Sequence, residues 1–147
     1  MIITRKSGAA KKQGLIHKKK KVMHMKQVLM VTSRPDSFSE LAGGLEKIEP
    51  MSITWADSSD AALAAVSGKT VHLAIIDETV GDQPGLRIAR NMLMKNAMVN
   101  QAVVSGLSPE EFHETSEGLG IMAQLPPKPD AGQAKLLMDT LKALIGN

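Results

Sequence analysis

Val71-His72-Leu73-Ala74-Ile75-Ile76-Asp77 is apolar at nearly every position and stops on a carboxylate. A strand with one wet face alternates apolar and polar residues, so this run predicts a strand covered on both faces. Strands of that kind belong to parallel sheets with helices on either side. Reading outward, Val28-Leu29-Met30-Val31 is a similar run ending at Thr32-Ser33, and Met51-Ser52-Ile53-Thr54-Trp55 alternates as a strand should. On the other side, Ala102-Val103-Val104 ends at Ser105, and a run from Ile121 to Leu125 is closed by Pro126-Pro127-Lys128-Pro129.

Amphipathic stretches separate these strands. Asp36 and Ser37 offer N-caps for a helix with Phe38, Leu41, Leu45 and Ile48 on one face. Gly43-Gly44 within it should cost about 1 kcal/mol each relative to Ala, and close packing on the sheet is the expected reason for the pair. Ser58-Ser59-Asp60 caps an Ala/Leu-rich helix that Gly68 ends. A loop from Glu78 to Gln83 leads to Pro84 at a helix start, with Leu86, Ala89 and Leu93 inward and Arg87, Arg90 and Lys95 outward. Ser108-Pro109-Glu110-Glu111 spells a capping box that opens a helix to about Glu117. The last helix runs from about Ala131 to Ile145, with Ala134, Leu137, Met138, Leu141 and Leu144 as its buried stripe. The alternating order predicts a parallel sheet with right-handed crossovers, whose site lies at the carboxyl ends of the strands.

Length and composition agree with one domain: 147 residues, 43% hydrophobic and 22% charged. With Phe38, Trp55 and Phe112 as its aromatics, the chain must build its core from Ala, Leu, Ile, Val and Met. The lack of cysteine excludes disulfides, thiolate zinc and thiol catalysis, and fits a cytoplasmic location. No apolar run approaches the roughly 18 residues of a membrane span. The formal charge of +3 conceals two unlike parts. Residues 1–26 hold nine Lys/Arg and no acid, whereas the remainder sets nine Lys/Arg against fifteen Asp/Glu, a net −6. Residues 1–25 are expected to be a disordered basic tail. Its readings are a solvated tail, an arm for nucleic acid or an anionic membrane surface, or translated sequence upstream of a true start near Met23 or Met25; the domain is expected over 26–147.

The strand ends converge on Thr32, Ser33 and Arg34, then Asp77, Ser105 and Lys128. With Gly85 eight residues after Asp77, and Lys128-Pro129 after the fifth strand, this constellation resembles the receiver (CheY-like) domain of two-component response regulators over residues 26–145. The resemblance implies a flavodoxin-like, doubly wound, five-stranded parallel sheet of order 2-1-3-4-5 with helices on both faces. It implies Asp77 as the phosphoacceptor position, with Ser105, Lys128 and the backbone at Thr79 around the phosphate. It also implies Mg²⁺, because an aspartate attacks a polyanion only when the transferring oxygens are neutralised.

Several residues depart from that family pattern. Thr32 and Ser33 stand where receivers place an acidic pair, and Arg34 adds positive charge on the same loop. Asp77, a carbonyl near Thr79 and two hydroxyls are too little negative charge to dehydrate Mg²⁺. The usual aromatic three residues before the lysine is replaced by Leu125, preceded by Gln124. The expectation is therefore a stand-alone pseudo-receiver that is not an enzyme, needs no cofactor or metal, and acts through a signalling protein, with a homodimer as a further option. One alternative is phosphorylation of Asp77 by a histidine kinase, with Mg²⁺ and with Arg34 and Lys128 assisting. Another is nucleic-acid binding through the tail. Without any phosphate, Asp77 and Lys128 would form an ion pair tying the strand ends together, and Ser105 would be a polar strand terminus.

Other signals carry less. Ser67-Gly68-Lys69-Thr70 lacks the first glycine of a P-loop and precedes a strand. Gly118-Leu119-Gly120 leads from helix to strand, the reverse of a dinucleotide site. The histidines have no ligand spacing, and His72 reads as a packed side chain. Glu110, Glu111, Glu114 and Glu117 make an acidic helix face, solvated or, by the resemblance, part of a protein interface. Met92, Met94 and Met98 read as core filler, with an adaptable binding patch as the alternative.

Overall fold

The structure is a computed structural model and describes residues 25–146. The expectations for the basic tail lie outside the described residues. Five strands, β1 (Lys26–Val31), β2 (Met51–Ala56), β3 (Leu73–Ile76), β4 (Asn100–Val104) and β5 (Ala123–Leu125), form one parallel sheet in the order β2-β1-β3-β4-β5. The helices are α1 (Ser39–Ile48), α2 (Ser59–Val66), α3 (Gly85–Lys95), α4 (Pro109–Thr115) and α5 (Ala134–Ile145). The alternating pattern predicts the parallel sheet, and its order is the flavodoxin-like one that the resemblance implies.

Alternate strand residues feed two cores. Val28, Met30, Leu73, Ile75, Ala102 and Val104 face Leu41 and Leu45 of α1 and Leu137, Met138 and Leu141 of α5. Leu29, Val31, Ala74, Ile76 and Val103 face Val66, Ile88, Met92 and Phe112 on α2, α3 and α4. Burying both sets explains why β3 has no polar position until Asp77.

Several local expectations need correction. Pro35–Phe38 forms a 3-10 turn rather than the first turn of α1, so neither Asp36 nor Ser37 caps the helix by its side chain; Phe38 is the N-cap. Gly44 packs against a connecting turn rather than the sheet: a Cβ there would lie 2.9 Å from the Ala131 Cα, whereas at Gly43 it would meet nothing. In α3 the buried stripe is Ile88, Ala89 and Met92, rotated from the expected Leu86–Ala89–Leu93 face, and Pro84 is its N-cap. Met94 and Met98 are exposed, while Met92 is core. In α5, Leu144 is 57% exposed, outside the buried stripe. The Ser58 cap and the Ser108–Glu111 capping box form as expected.

Candidate functional site

The site is assembled at the carboxyl edge of the sheet. Asp77 follows β3, donating its N–H to Val31 O, and its side chain is almost completely buried. Thr32 extends β1 through a bond from its N–H to Ala56 O and is also buried. Its hydroxyl donates to Asp77 Oδ2 at 2.6 Å and accepts the Arg34 N–H at 3.0 Å. That second bond turns the chain so that the Arg34 side chain folds back over the carboxylate. Arg34 Nε reaches Oδ2 and Nη2 reaches Oδ1, each at 2.9 Å. The arrangement is a two-pronged guanidinium–carboxylate pair, the strong geometry for such ions.

With the Glu78 N–H on Oδ1 at 2.8 Å, the Asp77 carboxylate receives four donors, two on each oxygen. Burial pushes its carboxyl up, but the bonds from Arg34, Thr32 and Glu78 outweigh that and hold it below the ordinary carboxylate value. The hydrogen bond to Asp77 raises the Arg34 guanidinium in turn, against some desolvation. Arg34 is half exposed, so solvent screens the outer side of the pair. Its Nη2 also donates to Pro127 O at 3.2 Å, joining the β1 loop to the β5 loop.

The expected ion pair between Asp77 and Lys128 is not formed, because Arg34 already takes both carboxylate oxygens. Lys128 is exposed instead, lining a cavity of about 440 Å³ with Asp36, Ser37 and Glu40. Ser33 and Thr79 are exposed and make no bond to Asp77. Ser105 is buried and its Oγ accepts the Leu107 N–H at 3.1 Å, so it serves its own loop. Of the positions singled out by sequence, Thr32 bonds to Asp77 directly, whereas Ser33, Thr79, Ser105 and Lys128 make no hydrogen bond or ion pair with it.

Three contributors were not assigned these roles from sequence. In the sequence Arg34 is only a positive charge on the loop, and the fold makes it the direct partner of Asp77. Glu78 accepts the Gly106 N–H at 2.9 Å through Oε2. Gln124, standing just before Leu125, donates to Ser105 O at 3.1 Å and Leu107 O at 2.8 Å, bracing the β4–α4 loop from β5. Gly85 has a concrete reason to be glycine: a Cβ there would run into the Asp77 carbonyl oxygen, and its N–H donates to Glu78 O at 2.7 Å.

These residues do not fit a bound Mg²⁺. The ion needs hard anionic oxygens. Here the Asp77 carboxylate is taken by a guanidinium, the Glu78 carboxylate by the Gly106 N–H, and Thr32 and Ser33 are neutral. Among the described residues there is no group of three acids or histidines able to hold a metal.

No family model and no curated protein matches the sequence. Solved structures do. A response regulator receiver domain protein (CheY-like) from Methanospirillum hungatei JF-1 has a TM-score of 0.69 at 17% identity, covering 81% of this chain and 95% of that one. The receiver domain of NtrX from Brucella abortus gives 0.67 at 19% identity, covering 78% and 97%. A response regulator protein from Burkholderia pseudomallei, solved with a phosphorylated aspartic acid, calcium ion and citrate, gives 0.65 at 17%, covering 79% and 66%. The chain therefore has the CheY-like receiver fold of response regulators.

Proposed function

We propose that the chain is an atypical receiver of the two-component type, a pseudo-receiver that signals by binding another protein rather than by Mg²⁺-dependent phosphorylation. The observation that carries this reading is the Arg34 fork on Asp77, completed by Thr32. To attack phosphorus, Asp77 would need a free oxygen lone pair and a cation facing the incoming group. Both of its oxygens are instead engaged by donors of the chain itself. The Burkholderia neighbour carries a phosphorylated aspartic acid and a calcium ion; Asp77 in this chain has its charge neutralised by a side chain. The module is not an enzyme on this reading, and its partner is a signalling protein.

Incubation of the full chain with acetyl phosphate and Mg²⁺, followed by intact mass measurement, tests the proposal. No adduct is expected. Stoichiometric addition of one phosphoryl group, lost in Asp77→Asn, would overturn the reading and make the chain a phosphoacceptor for a histidine kinase.

A further inference from the structure

The loop between β4 and α4 has an unusual accounting of its backbone donors. Of four consecutive N–H groups, that of Ser105 continues the sheet by bonding Leu125 O at 3.0 Å. Leu107 N–H bonds Ser105 Oγ at 3.1 Å within the loop, and Ser108 N–H bonds Glu111 Oε1 at 3.4 Å in the helix cap. Gly106 alone sends its N–H to a carboxylate from another loop, Glu78 Oε2, 28 residues away along the chain. On the acceptor side, Gln124 holds the loop by the Ser105 and Leu107 carbonyls.

Glu78 is held in place for this contact. Its N–H is fixed on Asp77 Oδ1 and its carbonyl accepts the Gly85 N–H. Its backbone is thus pinned between Asp77 and the start of α3, and the side chain is left to span the gap to Gly106. The contact is charge-assisted, and because both groups are exposed, water screens part of its strength. Glu78 also lies close enough to Arg34 to support the guanidinium charge. Arg34 and Glu78 together place one fixed cation and one fixed anion on the rim.

We propose that Glu78 is an internal anionic latch: its carboxylate holds the β4–α4 loop by the Gly106 N–H and so fixes the rim. The loop cannot shift relative to β3 without breaking this bond. A partner therefore either accepts the loop in its present position or displaces Glu78, which is exposed and within reach. The regulatory meaning of the latch rests on the interaction-module reading, but the latch itself does not.

Solvent-exchange NMR on the full chain tests it, comparing wild type with Glu78→Ala and Glu78→Gln. In Glu78→Ala the Gly106 amide should exchange about threefold faster, since it loses a charged acceptor that solvent partly screens. Leu107 should follow as the loop loosens, while Met30 and Ile75 in the central strands keep their protection. Glu78→Gln retains an acceptor oxygen without the charge, so a smaller acceleration is expected. It supports the latch by itself if the alanine variant does not fold. Unchanged exchange at Gly106 in the folded variants overturns the proposal. Phosphoryl labelling of the wild type would instead overturn the interaction-module reading and leave the exchange result standing.

Discussion

At the scale of single residues, Arg34 sets the electrostatic surroundings of Asp77. A buried carboxylate without a partner is costly, and the guanidinium relieves that cost on the side facing water. Arg34→Ala should destabilise the fold by about 1–2 kcal/mol at neutral pH, below the 3–5 kcal/mol of a fully buried pair because Arg34 is half solvated. The acid side gives a second readout. The folded state holds the Asp77 carboxyl low, so its stabilising contribution is present above the ordinary carboxylate range and is lost as pH falls through the folded value. In Arg34→Ala, burial instead favours the protonated acid, so the difference between variant and wild type should shrink below about pH 4. Urea unfolding at neutral and acidic pH measures both. A constant difference across pH would mean that Arg34 stabilises by packing alone.

At the scale of elements, the sequence was most legible where local chemistry decides the outcome. Ser58 and Ser108 form their caps because a hydroxyl at an N-cap needs only its own first turn. The β3 run was readable because burial on both faces leaves no choice of residue type. The start of α1 was less legible: Pro35 sets up a tight turn, and whether Asp36 or Ser37 then caps a helix depends on where Phe38 is drawn into the core. The glycines show the same limit. Gly44 and Gly43 look alike in sequence, yet only one of them is crossed by Ala131, a contact made across the fold. Gly85 is the sharpest case, since its constraint is the carbonyl of Asp77 itself. Gly85→Ala should cost about 3 kcal/mol or prevent folding, as overpacking against backbone that cannot move aside. Gly43→Ala should be neutral or slightly stabilising. Thermal unfolding of the two variants makes the comparison, and equal effects would show that the rim around Asp77 is softer than its geometry indicates.

At the scale of the whole molecule, a parallel sheet with a two-sided core was legible because the alternation of strands and helices restricts the topology, and the strand order followed from the family resemblance. The partners within the site were not, because residues 34, 77, 78, 106 and 124 meet only when the carboxyl edge is assembled. The opposite edge has its own joint. His72 Nδ1 accepts the Gln27 N–H at 2.9 Å, which requires a neutral ring, and burial followed by nearby Lys26 lowers its affinity for a proton. A base with a lowered folded value contributes stability fully above its ordinary value, near 6.5, and loses it as pH falls below that. The urea midpoint should therefore drop between about pH 7.5 and about pH 5.5, and His72→Gln should flatten that drop. A slope unchanged in the variant would place the acid sensitivity elsewhere.

The Arg34 fork also bears on how the rim experiences its surroundings. An ion held by carboxylates exchanges with the medium, so its occupancy follows supply and can be stripped by a chelator. A guanidinium is covalently tethered and remains charged at any pH a cell reaches. Its local concentration beside Asp77 is set by the chain alone, so no chelator can strip it, and added salt acts only by screening its solvated side.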